Sequence, residues 1–220
     1  MLFPNECRAC NTVLVEGEHL ICTACKYDLP YTNYQLEKDN PVEKVFWGRL
    51  TIEAATSYLH FTKGGKVQSL LHRLKYKNDV NIGVKLGEEL GGLMKQSGRF
   101  NGIDMILPVP LHKKRKHNRG YNQSAAFALG LSCQLGIPFN DSIIHRNRHT
   151  QSQTNKNRHE RWENVQGVFS IKHTQLIEGK HLLLVDDVLT TGATLESCAN
   201  TITIIPGCKV SVATIAYADY

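Results

Sequence analysis

From residue 42 onward, short apolar runs alternate with segments of helical spacing, whereas the first forty residues follow neither rhythm. Glu53–Phe61 reads as a strand and is closed by the turn Lys63-Gly64-Gly65-Lys66. Val67, Leu70, Leu71 and Leu74 recur at helical intervals, so a helix is predicted over 67–76. A second helix spans Val80–Lys95, weakened by Gly83, Gly87, Gly91 and Gly92. Asp104–Val109 is a strand broken by Pro108 and Pro110, and Ser124–Leu135 a helix ending near Gly136. Ile143–Ile144 is a short strand candidate. Lys180–Asp187 is an apolar strand, Ala193–Ile202 the helix after it, and Lys209–Ala216 a closing β-branched strand. This alternation predicts an α/β domain whose mainly parallel sheet is flanked by helices. A boundary falls at the polar stretch Gln35–Pro41, which divides the chain into a small module (1–41) and the α/β domain (42–220).

The chain has 220 residues, 41% of them apolar, enough for one sizeable core. No apolar run approaches the ~20 residues of a membrane span. The start, Met1–Cys7, lacks the basic-then-apolar order of a signal peptide, so a cytoplasmic location is expected. The net charge of +6 favours polyanionic ligands without choosing among them. Its distribution says more: basic residues gather in His112–Arg119 and in His145–Arg161, both read as loops. Cys133, Cys198 and Cys208 sit in apolar surroundings and read as buried thiols. Trp47 and Trp162 read as packing residues, and Tyr121 as either an aromatic platform or a packed ring.

The first forty residues carry Cys7-Arg8-Ala9-Cys10 and Cys22-Thr23-Ala24-Cys25, two C-x-x-C pairs separated by eleven residues. Each pair can present two thiolates from one tight turn, and two such knuckles complete a tetrahedron around zinc. A redox dithiol would need only one pair. Four cysteine ligands leave no open position, so Cys7, Cys10, Cys22 and Cys25 are expected to hold a structural zinc, and metal binding would supply folding energy the segment lacks. Whether this module meets nucleic acid, protein or only its own neighbouring domain is open at this level.

The densest chemistry lies in Leu182–Thr194. An apolar run buried on both faces leads into Asp186 and Asp187, then into the hydroxyl-rich turn Thr190-Thr191-Gly192-Ala193-Thr194 at the head of a helix. In an open parallel sheet, ligands bind beyond the carboxyl ends of strands. There Gly192 lets the backbone approach a phosphate, the helix N-terminus favours an anion, and the carboxylates can accept from sugar hydroxyls. Two adjacent carboxylates at the end of a buried strand are costly unless they are used.

This stretch resembles the phosphoribosyl pyrophosphate signature of type I phosphoribosyltransferases. The resemblance implies that Thr190, Thr191, Gly192, Ala193 and Thr194 hold the ribose 5-phosphate, and that Asp186 and Asp187 hold the ribose 2- and 3-hydroxyls. Asp104–Leu111 followed by Arg119-Gly120-Tyr121-Asn122-Gln123-Ser124 is similar to the ComF family, as are Leu74–Asp79 and the Thr150…Gln153…Arg158…Arg161…Asn164 spacing. That family also carries a four-cysteine N-terminal module. The one departure is Asn78, where glycine is expected.

What the resemblance implies is a phosphoribosyltransferase-like domain binding phosphoribosyl pyrophosphate with magnesium and passing phosphoribosyl to an acceptor. Lys113, Arg115 and Arg119 then become candidates to meet the pyrophosphate. Arg148, Lys156, Arg158 and Arg161 would do so from a loop that closes over the reaction centre. The family's association with natural transformation adds single-stranded DNA or a DNA-uptake helicase as a partner. The alternative is a non-catalytic DNA-uptake accessory whose ligand site is regulatory.

Overall fold

A computed structural model describes residues 5–112, 119–147 and 168–219. In chain order its strands are β1 (Ala55–His60), β2 (Met105–Pro108), β3 (Ile144–Arg146), β4 (Phe169–Ile171), β5 (His181–Leu189) and β6 (Lys209–Tyr217). Its α-helices are α1 (Thr23–Tyr27), α2 (Pro41–Lys44), α3 (Lys66–Tyr76), α4 (Val80–Ser97), α5 (Gln123–Leu135) and α6 (Ala193–Thr203). Four strands form one sheet in the order β1-β6-β5-β2, every neighbouring pair parallel. β3 and β4 form a separate antiparallel pair.

The continuous apolar run of β5 follows from cover on both faces. Leu183 and Val185 pack with α3, α4 and α5 through Leu70, Leu74, Leu86, Leu90 and Phe127. Leu182 and Leu184 pack on the opposite side with α6, through Leu195, Cys198 and Ile202. All four of these strand residues are fully buried.

Two local expectations change in the fold. Pro108 ends β2 without breaking it: Val109 N–H donates to the Val185 carbonyl, and the register runs from Met105–Leu182 to Pro108–Val185. The glycines of α4, read as weak points, are its contact surface. A Cβ on Gly83 would lie 2.9 Å from Ala126 Cβ, and one on Gly91 2.9 Å from Gln134 Cβ. One on Gly87 would meet the Phe127 carbonyl, and one on Gly130 of α5 the Val84 carbonyl. Small residues let the two helices approach backbone to backbone, and that packing outweighs their poor helix propensity. Gly92 differs, with nothing near its missing Cβ.

The cysteine-bearing segment packs into the larger core. Cys7, Ala9, Ile21, Cys22, Cys25 and Leu29 are buried in the same cluster as Leu70, Leu74 and Ile82. Polar links reinforce the join: Arg8 Nε to Asp79 at 2.7 Å, Lys66 Nζ to Asp28 at 2.5 Å, and Arg73 Nη2 to Asn11 Oδ1 at 2.6 Å. Asn78 takes φ +55°, the left-handed conformation that asparagine tolerates best after glycine, which explains the departure at that position. Two readings are corrected. Cys133 is exposed, because α5 buries Phe127, Gly130 and Leu131 and turns Cys133 outward; Trp47 is 58% exposed. Cys208 is half-buried and Cys198 fully buried, while Trp162 lies outside the described residues. Among the described residues no helix is long and apolar enough to cross a membrane.

Candidate sugar-phosphate cleft and cysteine centre

β5 runs two residues past the acidic pair, to Leu189, so the carboxylates lie inside the strand's last turn of pleat and not at its end. Both are half-buried. Asp186 Oδ1 accepts from Ser124 Oγ at 2.9 Å and from the Asp187 backbone N–H at 2.8 Å. Asp187 Oδ2 pairs with Lys75 Nζ at 2.9 Å. Burial, reinforced by the charge of Asp187, pushes the Asp186 carboxyl up to about 7; its two hydrogen bonds and Lys75 oppose that rise.

Beyond Leu189 the chain turns through Thr190–Gly192 into α6. Gly192 is the N-cap and takes φ +77°, a conformation that disfavours any side chain. It is also walled in: a Cβ there would lie 2.7 Å from Val45 Cγ1 and 3.3 Å from Phe46 Cε1. Arg49 fastens the turn, donating from Nη2 to the Thr191 carbonyl at 3.0 Å and pairing through Nη1 with Glu196 at 2.9 Å. The first amides of a helix have no intrahelical partner. Those of α6 open on a hollow of about 30 Å³ lined by Asp186 and residues 188–195.

This hollow adjoins a cleft of about 360 Å³, with Asp186, Val188, Thr190 and Thr194 lining both. The cleft lies over the carboxyl ends of the parallel strands: Phe61 follows β1, Val109 follows β2 and Ala218 follows β6. The C-terminal half of α3 supplies one wall through Leu71, His72, Lys75 and Tyr76, and β3 supplies Arg146. Arg119 lines it too, its guanidinium 5.3 Å from the Tyr76 ring and Nη1 donating to Gln123 Oε1 at 2.9 Å.

Of the residues marked in the sequence, Asp186, Asp187, Thr190, Thr194 and Arg119 line one cleft, and Thr191, Gly192 and Ala193 complete the adjoining hollow. Lys113, Arg115, Arg148, Lys156, Arg158 and Arg161 lie outside the described residues. Tyr121 is a packed ring, its hydroxyl donating to the Leu74 carbonyl. Sequence reasoning passed over Lys75, Ser124, Arg146 and Arg49. The first two stood inside segments already marked by resemblance, and Arg146 inside the basic stretch His145–Arg161 read as a loop, whose first two residues belong instead to β3. Arg49 carried no local signal.

At the other end of α3, the sulfur atoms of Cys7, Cys10, Cys22 and Cys25 lie within 4.8 Å of one another, and Cys10 and Cys22 are 3.8 Å apart. A tetrahedron with metal–sulfur bonds of about 2.3 Å needs sulfurs about 3.8 Å apart, so the spacing fits. Backbone N–H groups of Cys22 and Cys25 donate to Cys7 Sγ (3.3 Å) and Cys22 Sγ (3.4 Å), as suits thiolates. Thr12 draws the Cys10 thiol down to about 6, while burial and the neighbouring thiols drive Cys25 upward. Four such groups ionise together only around a cation. The group can hold a metal ion such as zinc.

Residues 122–219 match the family model of the phosphoribosyl transferase domain. The chain thus has the type I phosphoribosyltransferase fold, with four cysteines gathered near its N-terminus. Among curated proteins, Competence protein F of Haemophilus influenzae is 33% identical over 131 residues, which span 58% of this chain and 57% of that protein. DNA utilization protein YhgH of Escherichia coli K12 is 27% identical over 212 residues, 89% of each chain. Competence protein ComFC of Bacillus subtilis is 28% identical over 139 residues, 63% of this chain and 54% of that protein. These relatives, with the matching domain, support a place for the chain in the ComF family.

Proposed function

We propose that the protein binds phosphoribosyl pyrophosphate as its magnesium complex and transfers phosphoribosyl to an acceptor, releasing pyrophosphate. One observation carries this reading: Asp186 belongs at once to the small hollow at the α6 N-terminus and to the larger cleft beside it. A phosphate seated against the Thr190–Thr194 amides and hydroxyls leaves the attached ribose lying over the acidic pair. Asp186 and Asp187 would then accept from its 2- and 3-hydroxyls and fix the ring. The carboxylates also favour the positive charge that develops on ribose as the bond at C1 breaks. The leaving pyrophosphate meets Arg119 on the cleft wall, with Lys113, Arg115, Arg148, Lys156, Arg158 and Arg161 as the further candidates taken from the sequence.

Calorimetry with phosphoribosyl pyrophosphate and magnesium tests the reading. Wild-type protein is expected to bind, and Asp186→Asn/Asp187→Asn to lose binding by at least about a hundredfold. No binding by wild type overturns it. Pyrophosphate release across a panel of bases and amines then separates transfer from sensing.

A second reading is favoured by the names of the relatives, competence and DNA utilization proteins. In it the protein is a DNA-uptake accessory that meets single-stranded DNA or a DNA-uptake helicase, and its cleft is regulatory. A mobility-shift assay near physiological salt, with Lys113–Lys116 charge-reversed as control, distinguishes it. In either case we propose that residues 1–41 form a module holding one structural zinc through Cys7, Cys10, Cys22 and Cys25. Metal analysis should find about one zinc per chain.

A further inference from the structure

We infer that Lys75 determines the cleft's preference for a sugar phosphate that carries a C1 diphosphate over one that lacks it, by exchanging its partner Asp187 for the pyrophosphate; this rests on the donor-binding reading above. The three described basic side chains of the cleft, Lys75, Arg119 and Arg146, are held differently. Arg119 is occupied by Gln123 and the Tyr76 ring, and Arg146 lies 5.4 Å from the Phe169 ring. Lys75 alone among them is paired with one of the carboxylates that a ribose must reach. A sugar hydroxyl that donates to Asp187 Oδ2 competes with the Lys75 ammonium for that oxygen.

The geometry favours exchange over loss. Lys75 stands on the last turn of α3, beside His72 and Tyr76 on the cleft wall, and its side chain is 23% exposed against 16% for Asp187. A four-carbon stem ending in a compact charge can swing between partners a few ångströms apart, which a planar guanidinium held by two neighbours does less readily. The backbone beneath it is fixed: Leu70 and Leu74 are fully buried against the cysteine-bearing segment, and Arg73 is tied to Asn11. Only the ammonium end is therefore free to travel. With a diphosphate at the sugar's C1, the displaced ammonium gains a charge-assisted hydrogen bond to phosphate oxygen. With ribose 5-phosphate it has no such destination and must share Asp187 with the sugar.

The test measures two affinities on each of three proteins. Phosphoribosyl pyrophosphate and ribose 5-phosphate, each with magnesium, are titrated into wild type, Lys75→Met and Lys75→Arg. Lys75→Met is expected to weaken phosphoribosyl pyrophosphate by roughly ten- to a hundredfold, the worth of one hydrogen bond to a charged group, while ribose 5-phosphate stays within about threefold. Lys75→Arg should recover part of the loss. The retained ribose 5-phosphate affinity shows that Lys75→Met is folded. Equal losses for both ligands would mean that Lys75 merely braces Asp187, and no loss for either would mean that it does nothing; both overturn the assignment while the donor reading stands. Wild-type protein that binds neither ligand overturns the two together.

Discussion

Asp186 carries a charge that the fold resists and a ligand would reward. Its carboxyl is raised in the folded protein from 3.8 to about 7, so the folded state holds that proton more tightly than the unfolded chain does. The resulting stabilisation is complete below about pH 4 and is lost as the pH climbs through about 7. Asp186→Asn cannot titrate, so its melting temperature relative to wild type should rise between pH 4 and pH 8. Calorimetric scans across that range check this, and a constant difference would contradict the buried-carboxylate account. Gly192→Ala tests the neighbouring turn. It combines a strained backbone at φ +77° with a Cβ pressed on Val45, and should cost about 1–3 kcal/mol in urea denaturation as well as phosphate affinity. The need for glycine there was legible as a close approach to phosphate. That the protein itself crowds the position was not, because Val45 and Phe46 come from a distant part of the chain.

Between elements, the α4–α5 contact turns one residue type to two uses. Gly130→Ala drives a methyl group into the Val84 carbonyl and should destabilise by about 1–3 kcal/mol or more. Gly92→Ala, on the same helix pair but facing open space, should stabilise by about 0.5–1 kcal/mol through helix propensity alone. Thermal or urea melts of the two variants, measured side by side, decide the matter; equal effects would remove the packing argument. Both helices were legible from local sequence, the second through its end near Gly136. Local sequence could not tell a glycine that packs from one that merely weakens, because the partner surface lies on another helix. The short elements, β4 and α1 among them, left no periodic trace at all, being three and five residues long.

For the molecule as a whole, the cysteine cluster and the large core are one packing unit. Cys7, Cys22 and Cys25 are buried in the same cluster as α3 and α4. Stripping a bound metal should therefore lower the stability of the whole chain in one transition and leave no independently melting remainder. Denaturation with and without a chelator reads this directly. Two transitions, the larger unmoved by chelation, would refute it. Because α3 bridges the cysteines to Lys75, the same experiment should also weaken ligand binding in the cleft.

By itself the sequence determined what is written in neighbouring residues: the apolar strand into the acidic pair, the threonine turn at a helix head, the paired C-x-x-C knuckles and the alternation that makes a parallel sheet. Each depends on chemistry within a dozen or so positions, where chain connectivity alone fixes proximity. Only the tertiary structure decided which distant groups answer them. Lys75 reaches Asp187, Ser124 reaches Asp186, and Arg49 ties down the threonine turn because two helices and the turn after α2, from three parts of the chain, meet at the end of β5. Such pairings depend on crossing angles and burial across the sheet, which no local pattern encodes.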